Sequence, residues 1–72
     1  MILTFSIQHP GAVTVSLYDM LGNKLEDLVH EFQLQGEYTV DFVNDHYPGG
    51  IYFYDLKIGS EFIQTKKMII LK

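Results

Sequence analysis

Turn-forming residues divide this sequence into short segments, and within the segments apolar and polar side chains alternate. Residues 3–8 alternate up to a break at His9-Pro10-Gly11, and residues 13–18 alternate up to a break at residues 19–23. A period of two is typical of strands that bury one face, because successive side chains point to opposite sides of a sheet. Short strands separated by regular turn signals predict an all-β domain.

Residues 24–33 fit two patterns. Their apolar residues have a spacing that a helical face also shows, at Leu25, Leu28, Val29 and Phe32. We nevertheless predict an irregular strand, because residues 29–33 contain β-branched and aromatic side chains and because no capping box opens a helix.

Three further strands are predicted over residues 38–42, 51–58 and about 61–71. Together the segments predict a small immunoglobulin-like antiparallel β-sandwich of about six to seven strands. An open barrel is the structural alternative.

The last two predicted strands indicate which side chains face the core. Asp55 and Lys57 are expected on the solvent face. The alternate residues of that strand are expected to point inward, namely Tyr52, Tyr54, Leu56 and Ile58. Residues 68–71 are apolar at both parities, which predicts that this run is covered on both sides or bulged.

Composition limits the size and the partners of the domain. The chain has 72 residues, 47% of them hydrophobic, and is expected to form a single domain over residues 1–72. Such a chain buries about 60% of its unfolded surface. A net charge of −4 argues against nucleic acid or an anionic membrane as the primary partner. The lack of cysteine excludes disulfides and thiolate metal sites.

Few residues combine into a chemical site. His9, His30 and His46 lack the close spacing that would place two imidazoles on one metal. Asn44 and Asp45 are expected to cap a turn, because the other ligands of a calcium loop are missing. No serine lies in the Gly-x-Ser-x-Gly context that presents a nucleophile. We therefore expect no catalysis, no metal and no cofactor.

Two features of the sequence, the lysines and the tyrosines, each allow two interpretations. Lys66, Lys67 and Lys72 form a basic cluster in an acidic chain, either as a charged edge that resists strand pairing or as a recognition patch. The five tyrosines are expected mostly in the core or anchored through their hydroxyls. An exposed coplanar set of tyrosines would instead stack on sugar rings.

Four segments carry a family resemblance. Residues 13–25, VTVSLYDMLGNKL, resemble the Tyr-Asp-x-x-Gly hairpin of the type IX secretion system C-terminal sorting domains, which end many exported proteins of Bacteroidetes. Residues 36–42 resemble the family's glycine-to-tryptophan strand, with Phe42 in place of the tryptophan. Residues 50–56 resemble its Gly-valine-Tyr-x-Tyr-x-leucine motif, and residues 64–72 resemble its lysine-rich, aliphatic terminal segment. The Asn-Pro-rich segment that precedes the family's first strand is missing.

The resemblance implies a sorting label rather than an enzyme. Domains of this family fold in the periplasm, are recognised by an outer-membrane translocon and are often cleaved by a sortase-like protease. The resemblance therefore implies an exported chain that passes through the periplasm and reaches the cell surface or the extracellular space, covalently linked to an upstream cargo domain. The missing Asn-Pro-rich segment implies that residues 1–72 are a C-terminal sorting domain excised from a larger exported protein.

The same resemblance leads to a hypothesis for the recognition residues. They comprise a hairpin and the last two strands, at Tyr18, Asp19, Gly22, Gly50, Tyr52, Lys66, Lys67, Met68, Ile69, Ile70, Leu71 and Lys72. The last strand could also pair two copies into a homodimer. Two other classes of function stay open: an immunoglobulin-like structural module resembling flagellar hook-capping proteins, and an accessory carbohydrate-binding module.

Overall fold

The computed structural model describes residues 2–42 and 45–71, without the side chain of Phe62. Six strands make up the described chain, which confirms the all-β prediction. Their bounds are β1 Ile2–Ile7, β2 Gly11–Asp19, β3 Lys24–Gln33, β4 Gly36–Asp41, β5 Gly50–Ile58 and β6 Glu61–Ile70. In the described ranges no helix is long and apolar enough to cross a bilayer.

The six strands form two antiparallel sheets packed as a sandwich. One sheet contains β1 and β4, and the other has the order β3-β2-β5-β6. The β-sandwich prediction is therefore confirmed. The final strand, β6, pairs with β5 along one side only, so it is an edge strand of the larger sheet.

The core lies between the sheets in two clusters. The first lies around the end of β1 and the beginning of β2, and it contains Phe5, Ile7, Val13, Val15 and Leu56. The second lies towards the opposite end of the sandwich and contains Leu17, Phe42, Tyr52, Met68 and Ile70. The aromatic at Phe42 is 4% exposed, so it fills the core position for which the resemblance expects a tryptophan.

β3 is a strand, as predicted, and its irregularity has a local cause. The pairing of β2 with β3 shifts register between Val15 and Ser16 and again between Leu17 and Tyr18. A bulge changes which side chains face the core, because it adds an unpaired residue to one strand. The consecutive residues Leu28 and Val29 are consequently both half-buried, a pattern that resembles helical spacing in the sequence.

The prediction for β5 is correct for the inward face and wrong for Asp55. Tyr52 and Leu56 are buried and Tyr54 and Ile58 half-buried, as expected. Asp55, expected in solvent, is 7% exposed. It lies in β5, one of the two inner strands of the four-stranded sheet, in register with Ser16 on one side and Thr65 on the other, so strands on both sides shield it.

The terminal aliphatic run is covered on one side only. Met68 and Ile70 are buried in the second core cluster. Ile69 and Leu71 are 51% and 85% exposed, so the expectation of cover on both sides was wrong. The register shift between β5 and β6 lies at Leu56 and Lys57, remote from this run, so a bulge does not explain it either. The second sheet covers only the inner face of the larger sheet, which leaves Ile69 on the outer face largely in solvent.

Candidate recognition surface

The turn between β2 and β3 is fixed by one carboxylate. The Oδ1 atom of Asp19 accepts hydrogen bonds from the backbone N–H groups of Leu21 and Asn23, each at 2.9 Å. Its Oδ2 atom accepts a third from the side-chain amide of Asn23 at 3.1 Å. Two backbone bonds close the turn, from Asp19 N–H to the Asn23 carbonyl at 3.0 Å and from Gly22 N–H to the Asp19 carbonyl at 3.1 Å. The Tyr-Asp-x-x-Gly segment is therefore a rigid, self-contained turn.

The charge state of Asp19 follows from these contacts. The backbone and side-chain hydrogen bonds from Asn23, followed by the bonds from Leu21 and Gly22, lower the pKa of Asp19 below its usual 3.8. The carboxylate is thus ionised at neutral pH and keeps its oxygens available as acceptors for the turn.

Two predicted recognition glycines have backbone requirements of their own. Gly22 has φ 89° and Gly50 has φ 153°, values that residues with a Cβ rarely adopt. Neither position has a heavy atom within 4 Å of where a Cβ would be, so backbone conformation rather than crowding accounts for both glycines.

The segment between β4 and β5 is anchored by tyrosines. The Tyr52 hydroxyl donates to the carbonyl of Pro48 at 2.6 Å. Tyr47 contacts the rings of Tyr52 and Phe42, with centroid distances of 5.9 and 6.2 Å. The Tyr47 hydroxyl also donates to Glu26, and this bond, together with burial, raises the pKa of Tyr47 to about 12. Tyr52 is thus a core residue that holds the loop.

The hairpin turn and this anchored loop lie side by side. A cleft of about 280 Å³ lies between them, lined by Asp19, Met20, Leu21, Gly49, Gly50, Ile51 and Tyr52. Gly50 pairs with Ile70 and Ile51 with Ile69, which brings the end of β6 to the same place. We call the surface formed by residues 19–22, 49–52 and 69–71 the turn end. Two other clefts, of about 330 and 270 Å³, contain none of the predicted recognition residues.

The structure brings most, but not all, of the predicted recognition residues together. The hairpin and the β5 and β6 residues nearest Gly50 converge at the turn end. Lys66 is in register with Tyr54 and Lys67 with Phe53, so the side chains of the two lysines lie on opposite faces of the sheet. Lys72, like Asn44, lies outside the described residues.

An ion pair lies on the outer face of the larger sheet, near Tyr18. The Nζ atom of Lys24 lies 2.9 Å from Oδ1 of Asp27, which also accepts a hydrogen bond from the Ser16 hydroxyl at 2.7 Å. The hydrogen bond from Lys24, followed by the one from Ser16, lowers the pKa of Asp27. The hydrogen bond to Asp27 in turn raises the pKa of Lys24. Tyr18, half-buried, lies in register between Lys24 and Phe53 on this face.

The two side chains at the tip of the hairpin are absent from the sequence hypothesis. Met20 is 64% exposed and Leu21 is 84% exposed, although both are large and apolar. The signal was visible in the sequence, because two consecutive apolar residues stand between Asp19 and Gly22, where turns normally carry polar side chains.

Other chemistry finds little support in the described part of the chain. No three His, Asp or Glu side chains converge there in a way that could hold a metal ion. All five tyrosines are described, and each is half-buried or buried, so they do not form the exposed platform that a sugar-binding module requires. The geometry instead presents a rigid apolar end beside an edge strand.

Comparison with known proteins yields one family. Residues 2–71, nearly the whole chain, match the family model described as the secretion system C-terminal sorting domain. No curated protein and no solved structure matches the chain. The match spans both the hairpin and the terminal strand, the two segments that meet at the turn end. The chain therefore belongs to the family of secretion system C-terminal sorting domains, which act in type IX secretion.

Proposed function

We propose that this domain is a non-catalytic address label that directs an attached cargo protein through the periplasm and across the outer membrane by the type IX system. The observation that carries the proposal is the family match over residues 2–71. Membership of this family implies attachment to an upstream cargo, recognition by the secretion machinery and export to the cell surface or the extracellular space. The direct partners are then the outer-membrane translocon and a sortase-like protease.

The edge strand β6 supports recognition by strand pairing. It is ten residues long and, among the described strands, pairs only with β5, so its other side offers backbone N–H and C=O groups to a partner. A receptor strand can add to such an edge, with main-chain hydrogen bonds giving affinity and alternate side chains giving specificity. Lys66 and Lys67 limit promiscuous pairing, because exposed lysines on an edge disfavour addition of another copy.

Burial divides the proposed recognition residues into two roles. Tyr52, Met68 and Ile70 are buried and hold the fold that presents the signal. Ile69 and Leu71 are exposed and available for contact, as are the two lysines. Gly22 and Gly50 shape the backbone, and Asp19 fixes the hairpin.

A reporter fusion tests the proposal. Residues 1–72 are fused behind a signal peptide and a fluorescent reporter that folds in the periplasm, in a bacterium with a type IX system. The matched control is the same reporter without residues 1–72. We expect the fusion on the cell surface or in the medium and the control in the periplasm. Retention of a folded fusion in the periplasm would contradict the proposal.

Charge reversal then separates the two faces of β6. Lys66→Glu and Lys67→Glu make the same change in charge on opposite faces of one strand, so comparing them separates the contribution of each face. A receptor that pairs along the edge contacts both faces, and we expect each variant to lower export and the double variant to lower it most. Normal export of the double variant, with an unchanged circular dichroism spectrum, would remove the basic edge from the recognition surface.

A further inference from the structure

The hairpin tip displays apolar side chains that the fold does not use. Leu21 and Met20 are among the most exposed large apolar residues of the described chain, and Ile51 and Ile69 lie beside them on the turn end. Together these four residues expose roughly 450 Å² of surface, which is within the range of the largest apolar patch on a typical monomer. Patches of this size on soluble proteins commonly mark interaction sites.

The tip is rigid before anything binds. Three hydrogen bonds to the Asp19 carboxylate and the bond from Gly22 N–H fix the backbone on both sides of Met20 and Leu21. Binding therefore loses little backbone entropy at this point, which increases the affinity available from a small contact. The cleft of about 280 Å³ behind the tip can admit one large apolar side chain of a partner.

We propose that Met20 and Leu21 anchor the domain to an apolar pocket or loop of the outer-membrane secretion receptor, with one receptor side chain entering the cleft beside Gly50. This inference rests on the proposed function and adds contact residues to it. A protein receptor fits better than a lipid or glycan, because the lining of the cleft contains no cation and its carboxylate, Asp19, is occupied by the turn.

The size of the patch favours a receptor over a second copy of the chain. A stable interface buries about 800 Å² on each partner, nearly twice what these four residues expose. An area of this size suits a transient contact, which a carrier that must release its passenger requires. The same reasoning predicts that the isolated domain is a monomer at micromolar concentration.

The test compares Leu21→Ser with Leu34→Ser in the export fusion. Leu34 is also strongly exposed, at 65%, but it lies between β3 and β4 and takes no part in the turn end. Both substitutions remove one exposed leucine, and thermal unfolding should be unchanged for both. We expect Leu21→Ser to lower the rate of export about tenfold or more, as loss of an interface hot spot does, and Leu34→Ser to leave it within about twofold.

Several outcomes overturn the inference. If the wild-type fusion stays in the periplasm, the proposed function fails and the inference with it. If the wild-type fusion is exported and Leu21→Ser is exported equally well, or if Leu34→Ser falls just as far, the inference alone fails. A dimer of residues 1–72 in sedimentation velocity that Leu21→Ser dissociates would assign the patch to self-association. Binding to phosphatidylethanolamine–phosphatidylglycerol vesicles that Leu21→Ser abolishes would assign it to lipid.

Discussion

Adjacent residues of the terminal strand should differ sharply in their contribution to stability. Ile70 is 1% exposed and packs in the second core cluster, whereas Ile69 is 51% exposed on the outer face. Ile70→Ala removes buried methyl and methylene groups and leaves a cavity, which costs about 3 kcal/mol. Ile69→Ala loses only part of a side chain that is already half in water, which costs less than about 1 kcal/mol.

The loss from Ile70→Ala is large on the scale of the whole domain. A domain of this size has roughly 4–11 kcal/mol of stability, so Ile70→Ala removes about a quarter or more of it. Its midpoint temperature should fall by roughly 12–24 °C. Urea denaturation measures the free energy of unfolding of both variants. It is followed by circular dichroism and by tyrosine fluorescence, because the chain has no tryptophan. Equal losses for the two variants, or a larger loss for Ile69→Ala, would refute the assignment of inward and outward faces in β6.

Three further predictions follow from individual contacts. Asp55→Val should raise the free energy of unfolding by about 1–2 kcal/mol in urea denaturation, because Oδ1 of this buried carboxylate has no hydrogen-bond partner among the described residues. Asp19 and Asp27 have pKa values below 3.8, so their stabilisation is complete above about pH 5 and is lost as the pH falls through the folded values. Asp27→Asn should therefore flatten the acid limb of the curve of unfolding free energy against pH. Tyr47 has a pKa raised from 10.0 to about 12, so its stabilisation is present below pH 10 and lost as the pH rises through about 12; Tyr47→Phe should remove that alkaline limb, and the last ionising tyrosine in an ultraviolet titration should disappear with it.

The strands were predictable because the alternation of apolar and polar residues indicates them directly. β1 buries alternate residues over its whole length and β2 does so over its first half, as the sequence predicts. β3 was predictable as a strand but not in detail, because its exposure pattern depends on two register shifts against β2. Such shifts follow from how a partner strand pairs, and a single sequence does not contain that information.

Asp55 illustrates a second limit. Alternation gives the face on which a side chain lies, and Asp55 is indeed on the face opposite Leu56. Whether that face is wet depends on the neighbouring strands, which place Ser16 and Thr65 in register beside Asp55. Burial of this kind is set by sheet order, and it cannot be inferred from one strand alone.

The convergence of the candidate recognition residues was predictable in part. The resemblance grouped the hairpin with the terminal strand, and the pairing of Gly50 with Ile70 brings these segments together. The period of two in a strand already places the side chains of Lys66 and Lys67 on opposite faces, so the strand prediction itself indicates that they do not form one cluster. Met20 and Leu21 were visible as an unusual apolar pair, but only the fixed turn shows that they remain in solvent.

The dependence of export on the translocon tests the central claim most directly. The measurement is the fraction of the fluorescent fusion found on the cell surface and in the medium, compared between a strain with a working type IX translocon and a translocon-deficient strain. Our account predicts that most of the fusion leaves the first strain and that the folded fusion stays in the periplasm of the second. Equal fractions outside both strains, or retention in both, would contradict the claim that this domain is a sorting signal.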